Sequence, residues 1–185
     1  MLWAAPALLG VAVFLVPMDG EASPARQGLP ASIAGTASVI DADTLEIASQ
    51  RIRLVGVDAP ESGQKCLDAS GKFYHCGSAA ANALDRWINR NPVTCVIEDK
   101  DRYGRMLGDC SVRGENVQEW LVVSGYALAY RKYSTAYVAA ELAAEAAKAG
   151  IWAGEFVRPW DWRQGLRLPG EKPTRAMTSG KFATN

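Results

Sequence analysis

The spacing of apolar residues between positions 33 and 112 constrains the fold of this chain more than any other feature of the sequence. Five short apolar-rich runs lie there, and in the third of them Ile52 and Leu54 alternate with polar neighbours, which is the period of a β-strand. The five runs are residues 33–40, 45–48, 51–57, 93–97 and 105–112. Helical spacing follows the third run and the fifth, at residues 78–89, 117–124 and 134–149.

The order of these elements separates the candidate fold classes. A parallel α/β sheet needs a helix between successive strands, whereas here three predicted strands follow one another directly. The pattern favours an α+β fold that is mainly β, built as a five-stranded OB-fold barrel with about three helices. A chain of 185 residues is long enough for one domain with a proper core. We expect that domain to cover residues 33–162, between a flexible lead (23–32) and a flexible C-terminal tail (163–185).

The N-terminal residues are typical of a secretory signal peptide. Residues 2–16 form an apolar run without a charged residue, and Gly20 and Ala22 are the small residues of a cleavage site after Ala22. The run is shorter than the roughly 20 residues that a transmembrane helix needs. No Lys or Arg precedes it, so an uncleaved anchor is the alternative interpretation. We predict a signal peptide over residues 1–22 and a periplasmic or secreted protein.

The four cysteines fit an oxidising compartment, although four cysteines permit three disulfide pairings. A hairpin centred between Arg102 and Tyr103, in the polar stretch 98–105, places Cys95 opposite Cys110 at a cross-strand distance compatible with a disulfide. Cys66 and Cys76 would then close a short loop. The alternative is a zinc site, but the sequence has no C-x-x-C pair and His75 is its single histidine.

Four acidic residues lie at the ends of two neighbouring predicted strands, namely Asp41, Asp43, Asp58 and Glu61. If those strand ends meet at one rim of a barrel, they gather carboxylate oxygens, which are the ligands that a hard divalent ion such as Ca²⁺ requires. The loop is not an EF-hand, because Leu45 and Glu46 stand where that motif needs a ligand and a glycine. The alternative is that these residues simply occupy turns, where Asp is common, and it is strongest for Asp41.

Two arginines complete a candidate phosphate site. Arg53 lies on the strand that ends at Asp58, and Arg105 follows the turn at residues 102–104. A guanidinium donates two parallel hydrogen bonds to phosphate oxygens, and two such groups beside a metal ion suit the charge that develops in phosphodiester cleavage. Glu61, near that ion, is placed to accept a proton from an attacking water. The formal net charge of zero disfavours a protein that coats nucleic acid tightly, but not an enzyme that releases its substrate.

Three sequence blocks resemble the motif blocks of the thermonuclease (staphylococcal nuclease-like) family. They are VIDADT at residues 39–44, RLVGVDAPE at 53–61 and DRYGR at 101–105. Weaker similarity follows at 125–127, at Tyr130 and at 150–152, so that the resemblance spans residues 34 to about 153. It implies an OB barrel with additional helices, in agreement with the strand count, and a nuclease activity.

The resemblance also implies roles for the site residues. The side chains of Asp43 and Asp58 and the carbonyl of Ala59 would bind Ca²⁺, Arg53 and Arg105 would bind phosphate, and Glu61 would be the general base. The implied protein is an exported, calcium-dependent nuclease that cleaves DNA and RNA with little sequence specificity, as a monomer without a stable protein partner. The alternatives are an OB-fold binding protein without catalysis and a thermonuclease-like protein that serves exopolysaccharide biosynthesis. The intact metal and phosphate residues argue against the first.

Two residues depart from the family's motifs. The familiar Asp-Gly-Asp has Ala42 in the middle, which would strain the turn if that position needed positive φ. The familiar Asp-Thr-Pro-Glu has Ala59 in place of threonine, which loses a hydroxyl but keeps the backbone carbonyl.

Contacts to the rest of the substrate are expected from two tyrosines and a leucine. Tyr103, Leu107 and Tyr130 are candidates for a pocket that holds a base and a 5′-phosphate, since aromatic faces stack on bases without reading sequence. Tyr133 competes with Tyr130, because the alignment there can slide. For these tyrosines, packing in the core is the alternative.

Overall fold

The computed structural model describes residues 29–171 together with Met1. The strands are β1 (Ser32–Asp41), β2 (Thr44–Ile47), β3 (Gln50–Leu54), β4 (Val57–Asp58), β5 (Cys66–Leu67), β6 (Phe73–Tyr74), β7 (Pro92–Lys100), β8 (Met106–Val112), β9 (Glu115–Asn116) and β10 (Leu128–Ala129). The helices are α1 (Cys76–Ile88), α2 (Val117–Val123), α3 (Val138–Ala146) and α4 (Pro159–Arg163), with a 3₁₀ turn at Gly150–Ala153. Apart from Met1, the predicted signal peptide lies outside the described residues, as do residues 23–28 and 172–185.

Five of the strands close into a barrel. They hydrogen-bond in the order β3-β2-β1-β7-β8, and a parallel pairing of β3 with β8 completes the circle. In that closing pair, Ile52 lies opposite Met106 and Leu54 opposite Gly108. The short strand β9 extends the sheet beyond β8. The predicted five-stranded OB-fold barrel is therefore confirmed.

Alternating burial along the strands fills the barrel interior. In β8 every second residue from Met106 to Val112 is buried and the residues between them are partly exposed. Leu45, Ile52 and Leu54, from β2 and β3, belong to the same buried core. This arrangement follows from the period of two in a strand, which turns one set of side chains inward.

Among residues 29–171, no helix is both long and apolar enough to pass through a membrane.

The helices differ from the prediction mainly at their ends. α1 begins at Cys76 and stops where Asn89 adopts the left-handed conformation. The predicted helix 134–149 is shorter in the structure, because Ser134 accepts a hydrogen bond from the Ala136 N–H at 3.1 Å in a turn, and α3 starts only at Val138. The N-cap of α3 is Tyr137.

Both predicted disulfides are present, Cys66–Cys76 and Cys95–Cys110. Cys95 and Cys110 are register partners of β7 and β8, as the hairpin argument expected. Cys66–Cys76 ties β5 to the first residue of α1. All four cysteines are bridged, so the zinc alternative does not apply. Disulfides of this kind are typical of proteins in oxidising compartments.

Residues 155–171, which we call the C-terminal segment, fold back onto the barrel. Hydrogen bonds and ring stacking help to hold it there: the Leu67 N–H donates to the Glu155 carbonyl at 2.8 Å, Gln64 Nε2 donates to the Val157 carbonyl at 2.6 Å, and Trp160 stacks on Tyr130 with ring centroids 5.5 Å apart. The segment thereby carries α4 to the barrel rim at which β4 ends.

Candidate active site

Arg53 joins two carboxylates that the fold brings to one end of the barrel. The Leu54 N–H donates to the Asp43 carbonyl at 2.9 Å, which fixes the β1–β2 turn beside the end of β3. Nη1 of Arg53 pairs with the Asp43 carboxylate and donates to the Asp43 carbonyl at 3.2 Å, while Nη2 donates to Asp58 Oδ1 at 2.9 Å. The Arg53 side chain is 14% exposed and that of Asp58 is 0% exposed. The guanidinium is therefore held in place on one side by buried acceptors.

Asp43 and Ala59 share the same rim. Oδ2 of Asp43 accepts the Ala59 N–H at 2.8 Å, and its Oδ1 lies 3.4 Å from the Thr44 hydroxyl that donates to it. These bonds link the β1–β2 turn to the chain that follows β4. Two predicted calcium ligands from different parts of the sequence are thus adjacent.

Asp41 lies beside Asp43 at the same rim. Its Oδ1 accepts the Asp43 N–H at 3.2 Å. Burial, and then the neighbouring Asp43 carboxylate, raise the pKa of Asp41 to about 7. A raised carboxyl pKa means that the site resists a further negative charge. A cation at this rim would relieve that repulsion.

Ala42, the departure in the first motif block, causes no strain. Among residues 29–171 it is not one of the positions with positive φ. Its methyl group is buried in the barrel core. The alanine therefore adds apolar contact at a turn that does not need glycine.

Arg105 lies beside the strand that carries Arg53. Leu107 is the register partner of Arg53 in the β3–β8 pair, and Arg105 directly precedes β8. Nε and Nη2 of Arg105 both lie 2.8 Å from Asp101 Oδ2, while Asp101 Oδ1 accepts the N–H groups of Tyr103 and Arg105, each at 2.9 Å. Burial works to raise the pKa of Asp101, but its hydrogen bonds from Arg105 lower it overall. The turn thus fixes Arg105. With Tyr103, Glu46 and Arg51 it lines a cavity of about 450 Å³, whose lining does not include the rim carboxylates.

The predicted stacking tyrosines fall into two groups. Tyr103 and Tyr133 are each 70% exposed, so packing in the core does not account for them. Tyr130 instead lies parallel to Trp160, with an angle of 6° between the rings, and meets Tyr133 edge-on at 5.0 Å. One face of Tyr130 is therefore covered by the C-terminal segment.

Comparisons with known proteins assign the chain to a family. The family described as staphylococcal nuclease homologue matches residues 51–154 of the chain. The chain belongs to the staphylococcal nuclease homologue family. The succinoglycan biosynthesis protein ExoI of Rhizobium meliloti (strain 1021) is 42% identical over 131 residues, which cover 69% of each chain. An uncharacterized endonuclease of Escherichia coli O157:H7 is 35% identical over 68% of this chain and 80% of its own length, and the probable staphylococcal-like nuclease CAN1 of Oryza sativa subsp. japonica is 34% identical over 63% and 33%.

One arginine in the cluster lies outside the stretch that matches the staphylococcal nuclease homologue family. Arg163, at the end of α4, donates from Nη2 to Asp58 Oδ2 at 2.7 Å and from Nη1 to Asp58 Oδ1 at 3.1 Å. The same Nη1 donates to Glu61 Oε1 at 2.8 Å. Burial works to lower the pKa of Arg163, but the bonds to Asp58 and Glu61 raise it overall. Arg163 thus joins the proposed general base to a proposed metal ligand.

Arg163 was not predicted as a site residue, because it lies in the stretch that was expected to be a flexible tail. The available signal was Pro159, which favours the first turn of a helix, followed by the aromatic residues Trp160 and Trp162. That signal predicts a short packed helix but not where it docks. Arg163 and Asp58 are 105 positions apart, so no local pattern connects them.

The oxygen atoms at the rim fit a hard divalent cation by their chemistry, since Asp43 and Asp58 offer carboxylate oxygens and Ala59 a carbonyl. Within residues 29–171, no three acidic, histidine or cysteine side chains are grouped so that they could hold a metal ion. The Ala59 carbonyl and water would therefore complete the coordination. Burial raises the pKa of Asp58, although the hydrogen bond from Arg163 opposes that shift. A bound cation would stabilise the ionised form of this carboxyl.

Proposed function

We propose that the protein is an exported, calcium-dependent nuclease that hydrolyses phosphodiester bonds of DNA and RNA with little sequence specificity. The cluster of Asp43, Arg53 and Asp58 carries the proposal. It places a fixed guanidinium beside two carboxylates, as a site for a phosphate and a divalent cation requires. A protein that only binds nucleic acid has no need of carboxylates beside the phosphate, because they repel it.

The side chains at the rim divide the chemistry between them. Three of the five guanidinium N–H groups of Arg53 are used by Asp43 and Asp58, and the other two would bind the scissile phosphate. Arg105 would approach the same phosphate from the start of β8. Glu61, whose side chain is 36% exposed, would accept the proton of an attacking water. Ca²⁺ held by Asp43, Asp58 and the Ala59 carbonyl would supply the positive charge that stabilises the transition state.

The remaining parts of the proposal rest on simpler observations. The proposed contacts are to phosphate groups, with stacking on Tyr103, and such contacts do not distinguish base sequences. The two disulfides support a periplasmic or secreted protein. Cell fractionation tests the proposed location. The mass of the protein distinguishes its disulfide-bonded form from its reduced form.

A nuclease assay with controlled metal content tests the proposal directly. The purified protein would be given single-stranded DNA, duplex DNA and RNA, with calcium, with magnesium and with chelator. We expect cleavage of all three substrates in calcium and loss of cleavage in chelator. The Asp58→Asn variant should lose calcium-dependent activity while remaining folded. Cleavage that persists unchanged in chelator would exclude the metal mechanism.

A role in exopolysaccharide production is the second candidate, because a relative with 42% identity is a succinoglycan biosynthesis protein. It concerns the biological setting and is compatible with nuclease chemistry. Deletion of the gene in its own organism should then lower exopolysaccharide yield. Complementation with the wild type and with Arg53→Gln would show whether the site is needed. Unchanged yield after deletion would rule this role out.

A further inference from the structure

Asp58 is more enclosed than its proposed role as a cation ligand permits. Its side chain is 0% exposed, and Arg163 hydrogen-bonds both of its carboxylate oxygens. Oδ1 also accepts from Arg53 and so has both lone pairs in use. A hydrated cation cannot contact a side chain without accessible surface, so something must move before it reaches Asp58.

Arg163 is the group that can move. Its side chain is 38% exposed, whereas that of Arg53 is 14% exposed and lies beneath the rim. A cation bound to Asp58 Oδ2 would sit a few ångströms from the Arg163 guanidinium, and two positive charges that close repel each other. Arg53, by contrast, approaches Asp58 on Oδ1 alone.

We propose that Arg163 and the divalent cation are alternative partners of Asp58, so that the C-terminal segment sets the cation affinity of the site. The inference rests on the proposed function in one respect, that Asp58 is a cation ligand. It goes beyond that function by adding a residue from outside the family match as a positioning residue.

The segment that carries Arg163 is suited to such an exchange. α4 has five residues, of which Pro159 and Trp162 are buried, while Trp160 packs on the second core cluster and stacks on Tyr130 as described above. Tyr130 is also the residue proposed to stack on a substrate base. Release of Arg163 from Asp58 would therefore loosen the same segment that covers Tyr130. Cation binding and access to the base platform would be coupled through α4.

Calcium affinity of the full-length processed protein tests the inference without reference to catalysis. Isothermal titration with Ca²⁺ would compare the wild type with Arg163→Gln and with Arg163→Lys. A hydrogen bond to a charged group corresponds to a factor of about ten or more in binding, so we expect Arg163→Gln to bind calcium about tenfold more tightly. Arg163→Lys keeps the charge but loses the bidentate contact with Asp58. Its calcium affinity should therefore lie between those of the wild type and Arg163→Gln.

Arg158→Gln is the matched control, because it removes the same charge from the same segment. Arg158 lies over the Trp160 ring at 5.7 Å and should leave calcium affinity unchanged. Hydrogen exchange provides the second measurement. Calcium should speed exchange at residues 158–167 in the wild type, and in Arg163→Gln exchange should be fast without calcium.

The outcomes separate this inference from the proposed function. Equal or weaker calcium binding by Arg163→Gln would overturn the inference, even if the wild type is a calcium-dependent nuclease. Exchange at residues 158–167 that does not respond to calcium would overturn it as well. If the wild type binds no calcium at all, both proposals fall together. Should Arg163→Gln not fold, the affinity of Arg163→Lys decides, and no change from wild type would count against the inference.

Discussion

Replacing Arg53 with glutamine should destabilise the fold as well as remove activity. The change deletes the ion pairs to Asp43 and Asp58 and leaves two carboxylates that are mostly buried. Removing one partner of a buried pair costs about 3–5 kcal/mol. Arg163 still neutralises Asp58, and the new amide replaces one hydrogen bond. We therefore expect a loss near the lower limit, about 3 kcal/mol of unfolding free energy.

The measurement is urea denaturation in chelator, followed by tryptophan fluorescence, with unfolding free energies obtained by linear extrapolation. Arg51→Gln is the control, since Arg51 stands two positions earlier on the same strand. Its side chain is 62% exposed and lies 3.7 Å from Glu46, so it should contribute less than about 0.5 kcal/mol. Both variants remove one positive charge from β3, so their difference isolates the buried contacts.

The same urea denaturation would also be measured in calcium. A bound cation compensates part of the charge that Arg53 supplied, so the deficit of Arg53→Gln should shrink in calcium while that of Arg51→Gln stays near zero. Nuclease kcat/KM should fall by about 100-fold or more in Arg53→Gln, the effect of losing a donor to a developing oxyanion. Equal destabilisation by the two variants would refute the buried-pair argument. If Arg53→Gln were as stable as the wild type but inactive, only the predicted loss of stability would be refuted.

Three further predictions follow from the same structure. The pKa of Asp41 is raised from 3.8 to about 7, so between these pH values the folded protein holds a proton that the unfolded chain releases, and the unfolding free energy falls as pH rises. Asp41→Asn should flatten this dependence of unfolding free energy on pH, measured in chelator, by about 1–2 kcal/mol. An unchanged slope would contradict this. Arg105→Ala should lower kcat/KM by about 100-fold or more with a near-normal melting temperature, whereas a normal rate would remove Arg105 from the site. Because Cys95 and Cys110 are 15 positions apart, replacing both with serine should cost about 3 kcal/mol in urea denaturation, and no loss would contradict that estimate.

The barrel was predictable because its signals are local. The alternation of Ile52 and Leu54 with polar neighbours reports which side of a strand is buried. The pairing of Cys95 with Cys110 followed from the symmetry of a hairpin around one turn. In both cases the residues that carry the signal are near each other in sequence or joined by one turn.

Helix ends were less predictable, because contacts between distant residues decide them. Gly125 and Gly150 directly follow the predicted helices 117–124 and 134–149, and both have positive φ, but α3 already ends at Ala146 and Gly150 begins the 3₁₀ turn. The structure adds that they meet: a Cβ on Gly125 would lie 2.1 Å from the Ala149 carbonyl oxygen, and one on Gly150 would lie 2.3 Å from the Gly125 carbonyl oxygen. Each position therefore needs glycine for two reasons: its φ is positive, and the neighbouring backbone leaves no room for a Cβ. Sequence spacing does not contain that information.

The charge pattern of the site shows most clearly what sequence alone could not supply. Arg53 and Arg105 were predicted to face phosphate, yet each of the three site arginines is paired with an acidic residue, as with Asp101 for Arg105 and Glu61 for Arg163. In the proposed nuclease, phosphate would therefore meet guanidinium groups that carboxylates already occupy in part, which would weaken binding of substrate and product alike. A cation on Asp43 and Asp58 would weaken the hold of these carboxylates on Arg53 and Arg163. For the nuclease proposed above, a formal net charge of zero would suit an enzyme that holds nucleic acid tightly only when its cation is bound.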